Sequence, residues 1–159
     1  MINQVYRLVS PRQFEISFKE RSIHSDRVIV RPTNMSICAA DQRYYTGTRG
    51  KEALMKKLPM ALIHEANGEI VYDPLGEYKP GTKVVMIPNT PAEEDEIIAE
   101  NYLYTSKFRS SGYDGFMQDY VFLQRDRFVI LPEHVDVHVA AFTELITIAM
   151  HAITRFELY

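Results

Sequence analysis

A histidine and a glutamate stand side by side at the end of the apolar run Leu58-Pro59-Met60-Ala61-Leu62-Ile63-His64-Glu65. Packing there favours hydrocarbon, so an imidazole and a carboxylate need something to compensate them. The only cysteine, Cys38, lies upstream in a small-residue turn, Ser36-Ile37-Cys38-Ala39-Ala40-Asp41. Thiolate, neutral imidazole and carboxylate are three common zinc ligands, and a three-ligand site with one open position is of the catalytic type. An inert buried cysteine and a packed histidine account for the same residues, so at this level both readings stand. A single cysteine does exclude an internal disulfide and a four-cysteine structural zinc site within the chain, and any metal must take mixed ligands.

The elements around these residues can be read from periodicity. Gln13 to Phe18 and Arg27 to Arg31 alternate with a period of two, as half-buried antiparallel strands do, and Pro32 is expected to end the second. Ala39 to Tyr45 would form a short helix stopped at Gly47, which puts Cys38 at a strand-to-helix junction whose backbone N–H groups favour a thiolate. Thr48 to Lys57 reads as a solvated loop or short helix. Gly68 to Asp73 and the stretch after the Pro80-Gly81 turn read as strands.

Asn89 to Asn101 is acidic and lacks alternation, as a surface excursion does. Phe108 to Phe116 has the small, polar and aromatic mix of a pocket-lining loop and leads into a strand expected over Met117 to Leu123. Phe128 to Leu131 is a further strand, and Asp136 is an N-cap for a short helix. Leu145, Ile148, Ala149, Ala152, Ile153 and Phe156 then recur at spacings of three and four, the pattern of an amphipathic helix that buries one face. Glu144 lies in its first turn, where a carboxylate is an ordinary charge, and His151 is expected to be packed. Closely spaced strands punctuated by Gly and Pro suggest a partly open barrel.

The chain has 159 residues, 46% hydrophobic and 25% charged, which suits one globular domain with a real core. A net charge of -3 and a pI near 6.0 give no electrostatic case for nucleic acid or an anionic membrane. No apolar run approaches the roughly 18 residues of a membrane span, and the amino terminus lacks a secretory pattern, so a cytoplasmic location is expected.

Taken together, Ser36 to Asp41, Ile63 to Gly68, Gly112 to Val121 and Thr143-Glu144-Leu145 resemble the catalytic domain of the zinc-dependent medium-chain dehydrogenases, and within them the branch of the ribulose-5-phosphate reductases. The resemblance implies a mainly β, GroES-like partly open barrel over residues 1–142, with 143–159 forming a helix that connects to a nucleotide-binding domain. It implies zinc on Cys38, His64, Glu65 and Glu144, with Glu65 also a candidate in catalysis. Asp41 would accept the other ring N–H of His64 and so fix its tautomer.

Several positions depart from the family pattern. Ala40 stands where a hydroxyl often relays the alcohol proton, Arg43 where alcohol dehydrogenases often have a relay histidine, and Ile63 where glycine usually precedes His-Glu. The structural zinc lobe is replaced by the acidic 89–101 region. No G-x-G-x-x-G is present, so the resemblance implies an amino-terminal part of a longer enzyme whose dinucleotide site lies elsewhere.

The activity implied is reduction of ribulose 5-phosphate to ribitol 5-phosphate with NADPH, or NADH, for teichoic-acid or capsule precursors. Arg43 would face the cofactor, and Arg109, Ser110 and Ser111 would cradle the substrate phosphate. A cytidylyltransferase of the same pathway and a homo-oligomer of the full-length chain are the implied partners. A related polyol or alcohol dehydrogenase, or a non-catalytic GroES-like binding module, are the alternatives.

Overall fold

The computed structural model describes residues 1–99 and 102–157. In chain order, β1 (Ile2–Ser10), β2 (Gln13–Glu20) and β3 (Arg27–Ser36) lead into α1 (Ala39–Thr46) and α2 (Lys51–Lys57). Then come β4 (Met60–Ala61), β5 (Glu65–Tyr72), β6 (Lys83–Met86), β7 (Asn89–Thr90) and β8 (Lys107–Phe108). The chain closes with β9 (Val121–Gln124), β10 (Phe128–Ile130), α3 (Val137–Ala140) and α4 (Thr143–Glu157). Every strand pair is antiparallel, in sheets ordered β10-β6-β5-β3-β9, β2-β1-β4 and β7-β8. A single bridge, Val5 to Gln118, ties the segment before β9 to the smaller sheet. The result is the expected mainly β, partly open barrel with short helices.

The core lies between the two larger sheets, where Leu8, Val30, Met60, Ile70, Val84, Phe116 and Leu123 pack together. β5 is central in its sheet and is buried along nearly its whole length, so its alternation is weak. That buried strand begins at Glu65, and β3, its neighbour, ends two residues before Cys38. The pairing Ser36 to Glu65 therefore delivers the two reactive segments side by side.

Three elements differ from the sequence expectation. β3 does not stop at Pro32 but continues to Ser36, with a register shift between Pro32 and Asn34. Its pairing with β9 ends at Val30, so Pro32 lies where the strand has one free edge and its missing N–H is tolerated. The strand expected from Met117 begins only at Val121; before it, Met117 accepts from the Tyr6 N–H and Asp119 donates to the Gln4 carbonyl, an irregular seam on β1. Finally, α4 has the expected periodicity but buries none of its described residues. Ile148, Ile153 and Phe156 are exposed, as is His151, because the helix leaves the body and touches it chiefly at β5.

Of the acidic region, Glu100 and Asn101 lie outside the described residues, Asn89 to Pro91 are half-buried, and Ala92 to Ala99 are exposed without helix or strand. Leu158 and Tyr159, the end of the connecting helix expected over 143–159, also lie outside them. Among the described residues, no helix is long and apolar enough to cross a membrane.

The loop from Phe108 to Phe116 is stitched to the strand segment before His64. Gly115 donates to the Ala61 carbonyl at 2.8 Å, Phe116 to Ile63 at 2.7 Å and Met117 to Leu62 at 3.2 Å. This approach requires glycine, since a Cβ on residue 115 would stand 2.2 Å from the carbonyl oxygens of both Leu62 and Ile63. Asp114 anchors the same loop: it receives Arg7 and Lys19 at 2.6 Å and the Ala61 N–H at 3.0 Å. Burial alone would raise its carboxyl, yet these donors hold it down at about 2.

Gly115→Ala is expected to cost about 2 kcal/mol or more, because two backbone carbonyls must move rather than a flexible side chain. Gly50→Ala, where a Cβ meets nothing within 4 Å, is expected to stay within about 0.5 kcal/mol. Urea denaturation midpoints compare the two, and equal midpoints would refute the packing argument.

Candidate metal centre

Cys38 is the N-cap of α1, with extended backbone, and α1 ends at Gly47 in the left-handed conformation as expected. Across from it, Ile63 holds φ at 73° immediately before His64. A β-branched residue in that region is strained, and burial of its side chain together with bonds at both its N–H and its carbonyl keeps it there. The turn at Ile63 is what aims His64 at Cys38.

The Cys38 Sγ lies 3.7 Å from His64 Nε2, and that nitrogen is 3.9 Å from Glu65 Oε1 and 4.0 Å from Glu144 Oε2. The ligand atoms of Cys38, His64 and Glu65 all fall within 4.8 Å of one another. Ligand atoms around one tetrahedral zinc stand roughly 3.3–3.8 Å apart, so the cluster needs little contraction to close on a cation. His64 Nδ1, Glu65 Oε2 and Glu144 Oε2 are buried without a hydrogen-bond partner. Two carboxylate oxygens left unsatisfied beside a thiol and an imidazole nitrogen form a donor set that fits zinc.

Electrostatics point the same way. Burial, and then the charge of Glu65, push the Glu144 carboxyl above its usual range, against the pull of His64. Burial also raises the Cys38 thiol, and Asp41 adds to this, so the helix-start amides do not by themselves produce the expected thiolate. A cation at the centre of the four would reverse both effects.

Asp41 plays a different part from the expected one. It makes no bond to the His64 imidazole. Its Oδ2 accepts from the Cys38 N–H and from the Cys38 thiol, both at 3.1 Å, while Oδ1 accepts from the Ile63 N–H at 3.0 Å and the Ser110 hydroxyl at 3.1 Å. The reason is reach: a carboxylate in the first turn of α1 meets the backbone before His64 rather than its ring. It positions the histidine through the peptide that precedes it.

The expected phosphate cradle does not form. Arg109 is only 4% exposed, and its guanidinium donates to the carbonyls of Asp114 and Phe122 and lies over the rings of Tyr113 and Phe116. Ser110 is buried, with φ at 59°, and its hydroxyl is committed to Asp41. Ser111 is exposed and accepts from Lys57 Nζ at 2.8 Å, so the three residues face different ways. Arg43 is exposed in the last turn of α1, and its side chain makes no hydrogen bond or ion pair among the described residues.

One neighbour of the centre was not singled out from the sequence: Phe108, whose ring packs 5.3 Å from the His64 ring. Ser110, expected to hold a substrate phosphate, instead donates to Asp41. The glycines at 112 and 115 marked the loop but not which side chains it turns inward.

Asp41→Asn places an amide N–H₂ against donors on one side. It is expected to weaken zinc affinity by about 10-fold to 100-fold, with about 1–3 kcal/mol lost in stability. Ser110→Ala removes one donor only and is expected to lose less of both. Competition with a chelating dye, alongside urea unfolding, reads both quantities; unchanged zinc affinity in Asp41→Asn would remove Asp41 from the positioning role.

The family model of the alcohol dehydrogenase GroES-like domain matches residues 24–133. The chain is 69% identical over 157 residues to ribulose-5-phosphate reductase of Bacillus spizizenii and 62% identical to ribulose-5-phosphate reductase 1 of Staphylococcus aureus. Each match covers 99% of this chain and 46% of the relative. The chain thus spans about half the length of the curated relatives it matches. Among solved structures, S. aureus TarJ in complex with NADPH aligns with a TM-score of 0.79 at 52% identity, over 99% of this chain and 42% of that one. L-idonate 5-dehydrogenase of Escherichia coli, at 23% identity and a TM-score of 0.83 over 96% of this chain and 46% of that one, shares the fold. With the family model matching most of its length and the cluster of Cys38, His64 and Glu65 lying inside that match, the chain belongs to the alcohol dehydrogenase GroES-like domain family.

Proposed function

We propose that this chain is the zinc-holding catalytic part of an NADPH-linked reductase that converts ribulose 5-phosphate to ribitol 5-phosphate, within a longer protein serving teichoic-acid or capsule precursor synthesis. The observation that carries the reading is the convergence of Cys38, His64, Glu65 and Glu144, from three distant segments, on one point in a chain whose near relatives are named for that reaction.

Cys38, His64, Glu65 and Glu144 would hold the ion. Zinc, when bound, supplies Lewis-acid polarisation of the ketone oxygen, which stabilises the negative charge that grows there as hydride arrives. The rest falls to the chain itself. Asp41 and Ser110 fix the distance between the cysteine turn and the histidine turn, so the ligands need not reorganise. The Phe108 ring covers one side of His64 and limits water there. Ala40 offers no hydroxyl, so the proton for the alcohol must come through water or a carboxyl. Arg43, whose exposed side chain makes no hydrogen bond or ion pair among the described residues, is the cation suited to a dinucleotide phosphate.

NADPH is the favoured reductant because S. aureus TarJ, 52% identical over 99% of this chain, forms the complex with NADPH seen in its crystal structure.

The purified chain is expected to bind about one zinc, and His64→Ala and Cys38→Ser are each expected to abolish stoichiometric binding. Elemental analysis and dye competition measure this without any turnover. In the longer protein, NADPH oxidation monitored by absorbance should depend on ribulose 5-phosphate and stop with chelator. Full activity in zinc-free protein would sink the metal assignment, and equal turnover of unphosphorylated ribulose would sink the substrate.

A further inference from the structure

Away from the metal cluster, three arginines converge on one small cavity. Arg109, buried behind the loop that follows β8, gives its Nη1 and Nη2 hydrogens to two carbonyls, at 3.1 Å and 3.4 Å, and to no carboxylate. Its Nε–H is buried with no partner. Asp114, which lines the same cavity, is already taken by Arg7 and Lys19. Arg21, just past β2, makes no side-chain hydrogen bond or ion pair among the described residues, and Arg27, at the start of β3, meets only exposed Asp26 at 3.3 Å. Burial first, and then the charges of Arg27 and Arg21, lower the Arg109 guanidinium from its usual range, so the three cations act on one another.

These three arginines, with Tyr113, Asp114, Gln118 and Phe122, enclose a cavity of about 50 Å³. It shares Arg21, Arg27 and Phe122 with a wider cleft of about 490 Å³, also lined by His24, Glu20 and Asp26. A water needs roughly 10–15 Å³ of such space, so the inner cavity suits a group the size of a few waters and excludes a nucleotide. The inner cavity is lined by three arginines and one carboxylate, Asp114, which already meets Arg7 and Lys19, so the charge facing it is net positive.

We propose that this cavity is a binding site for a compact tetrahedral oxyanion of the phosphate class, held by Arg21, Arg27 and the free Nε–H of Arg109. A guanidinium fork matches such oxygens geometrically, and a bound anion would satisfy the buried donor and relieve the mutual repulsion of the three arginines. The loop that carries Arg109 also carries Ser110, so an occupant braces the strap that holds Asp41. The site is built from residues distinct from the metal ligands and does not rest on the proposed reductase activity.

Orthophosphate titrated into the metal-free chain, followed by calorimetry and by thermal unfolding with chloride at matched ionic strength as control, is the test. Saturable binding and a raised unfolding temperature are expected in the wild type and in Arg155→Ala, a surface control on α4. Arg21→Ala, exposed, and Arg27→Ala, half-buried at the start of β3, should each weaken binding about 10-fold to 100-fold, and the double variant should lose it. Ribulose 5-phosphate and unphosphorylated ribulose are then used as competitors. Displacement by the sugar phosphate alone assigns the pocket to phosphorylated sugars, and no displacement assigns it to free phosphate. Absence of saturable orthophosphate binding, or binding unchanged in the double variant, overturns the site. Neither result touches zinc or turnover, so failure here leaves the reductase reading as it stood.

Discussion

Asp41 is 2% exposed, and a carboxylate that deep is tolerated only when its oxygens are met by donors. The donors come from three segments that are far apart in the chain: the turn after β3, the turn before β5, and the loop after β8. One side chain thus fixes the mutual placement of Cys38, of the peptide that carries His64, and of the loop seated over both. The cost of leaving any of these groups unpaired, about 1–3 kcal/mol each, is what locks three loops into one arrangement. Loops are ordinarily the mobile part of a fold, and here they are braced to a buried charge.

The bracing explains why the centre can tolerate so much unsatisfied polarity of its own. Two carboxylate oxygens, of Glu65 and Glu144, stay buried without partners beside Cys38 and His64. Left to relax, such groups would turn toward water. The rigid frame of Asp41, Gly115 and the strained Ile63 prevents it, so the donor set is held ready for a cation rather than assembled by one.

What could be read from the sequence divides along a physical line. The reactive residues were legible because their chemistry is unusual in their surroundings: His64 and Glu65 interrupt an apolar run, and Cys38 is alone. The helix caps at Gly47 and Asp136 were legible because capping is local. The direction of a long side chain was not. Arg109 sits among Ser110, Ser111 and Gly112, a composition that suits a phosphate cradle, yet the left-handed backbone at Ser110 and Gly112 sends the neighbouring side chains to different places. Pro32 was misread for a similar reason, since whether a proline ends a strand depends on which neighbour is beside it, and that is set by β9, some ninety residues later. The amphipathic pattern of α4 was read correctly as a pattern, but periodicity says only that a face wants cover, and not that these residues provide it.

α4 is joined to the body lightly, with no buried residue of its own, yet its first turn carries Glu144 to within 4.0 Å of His64. An ion shared by Cys38 and Glu144 would close a loop of roughly a hundred residues, and the entropy removed from the unfolded chain by such a closure grows with the logarithm of its length. In that respect the metal would serve as a reversible staple, the counterpart of the disulfide that a chain with one cysteine cannot form. It would also make the tilt of an exposed helix answer to the contents of the site beneath it.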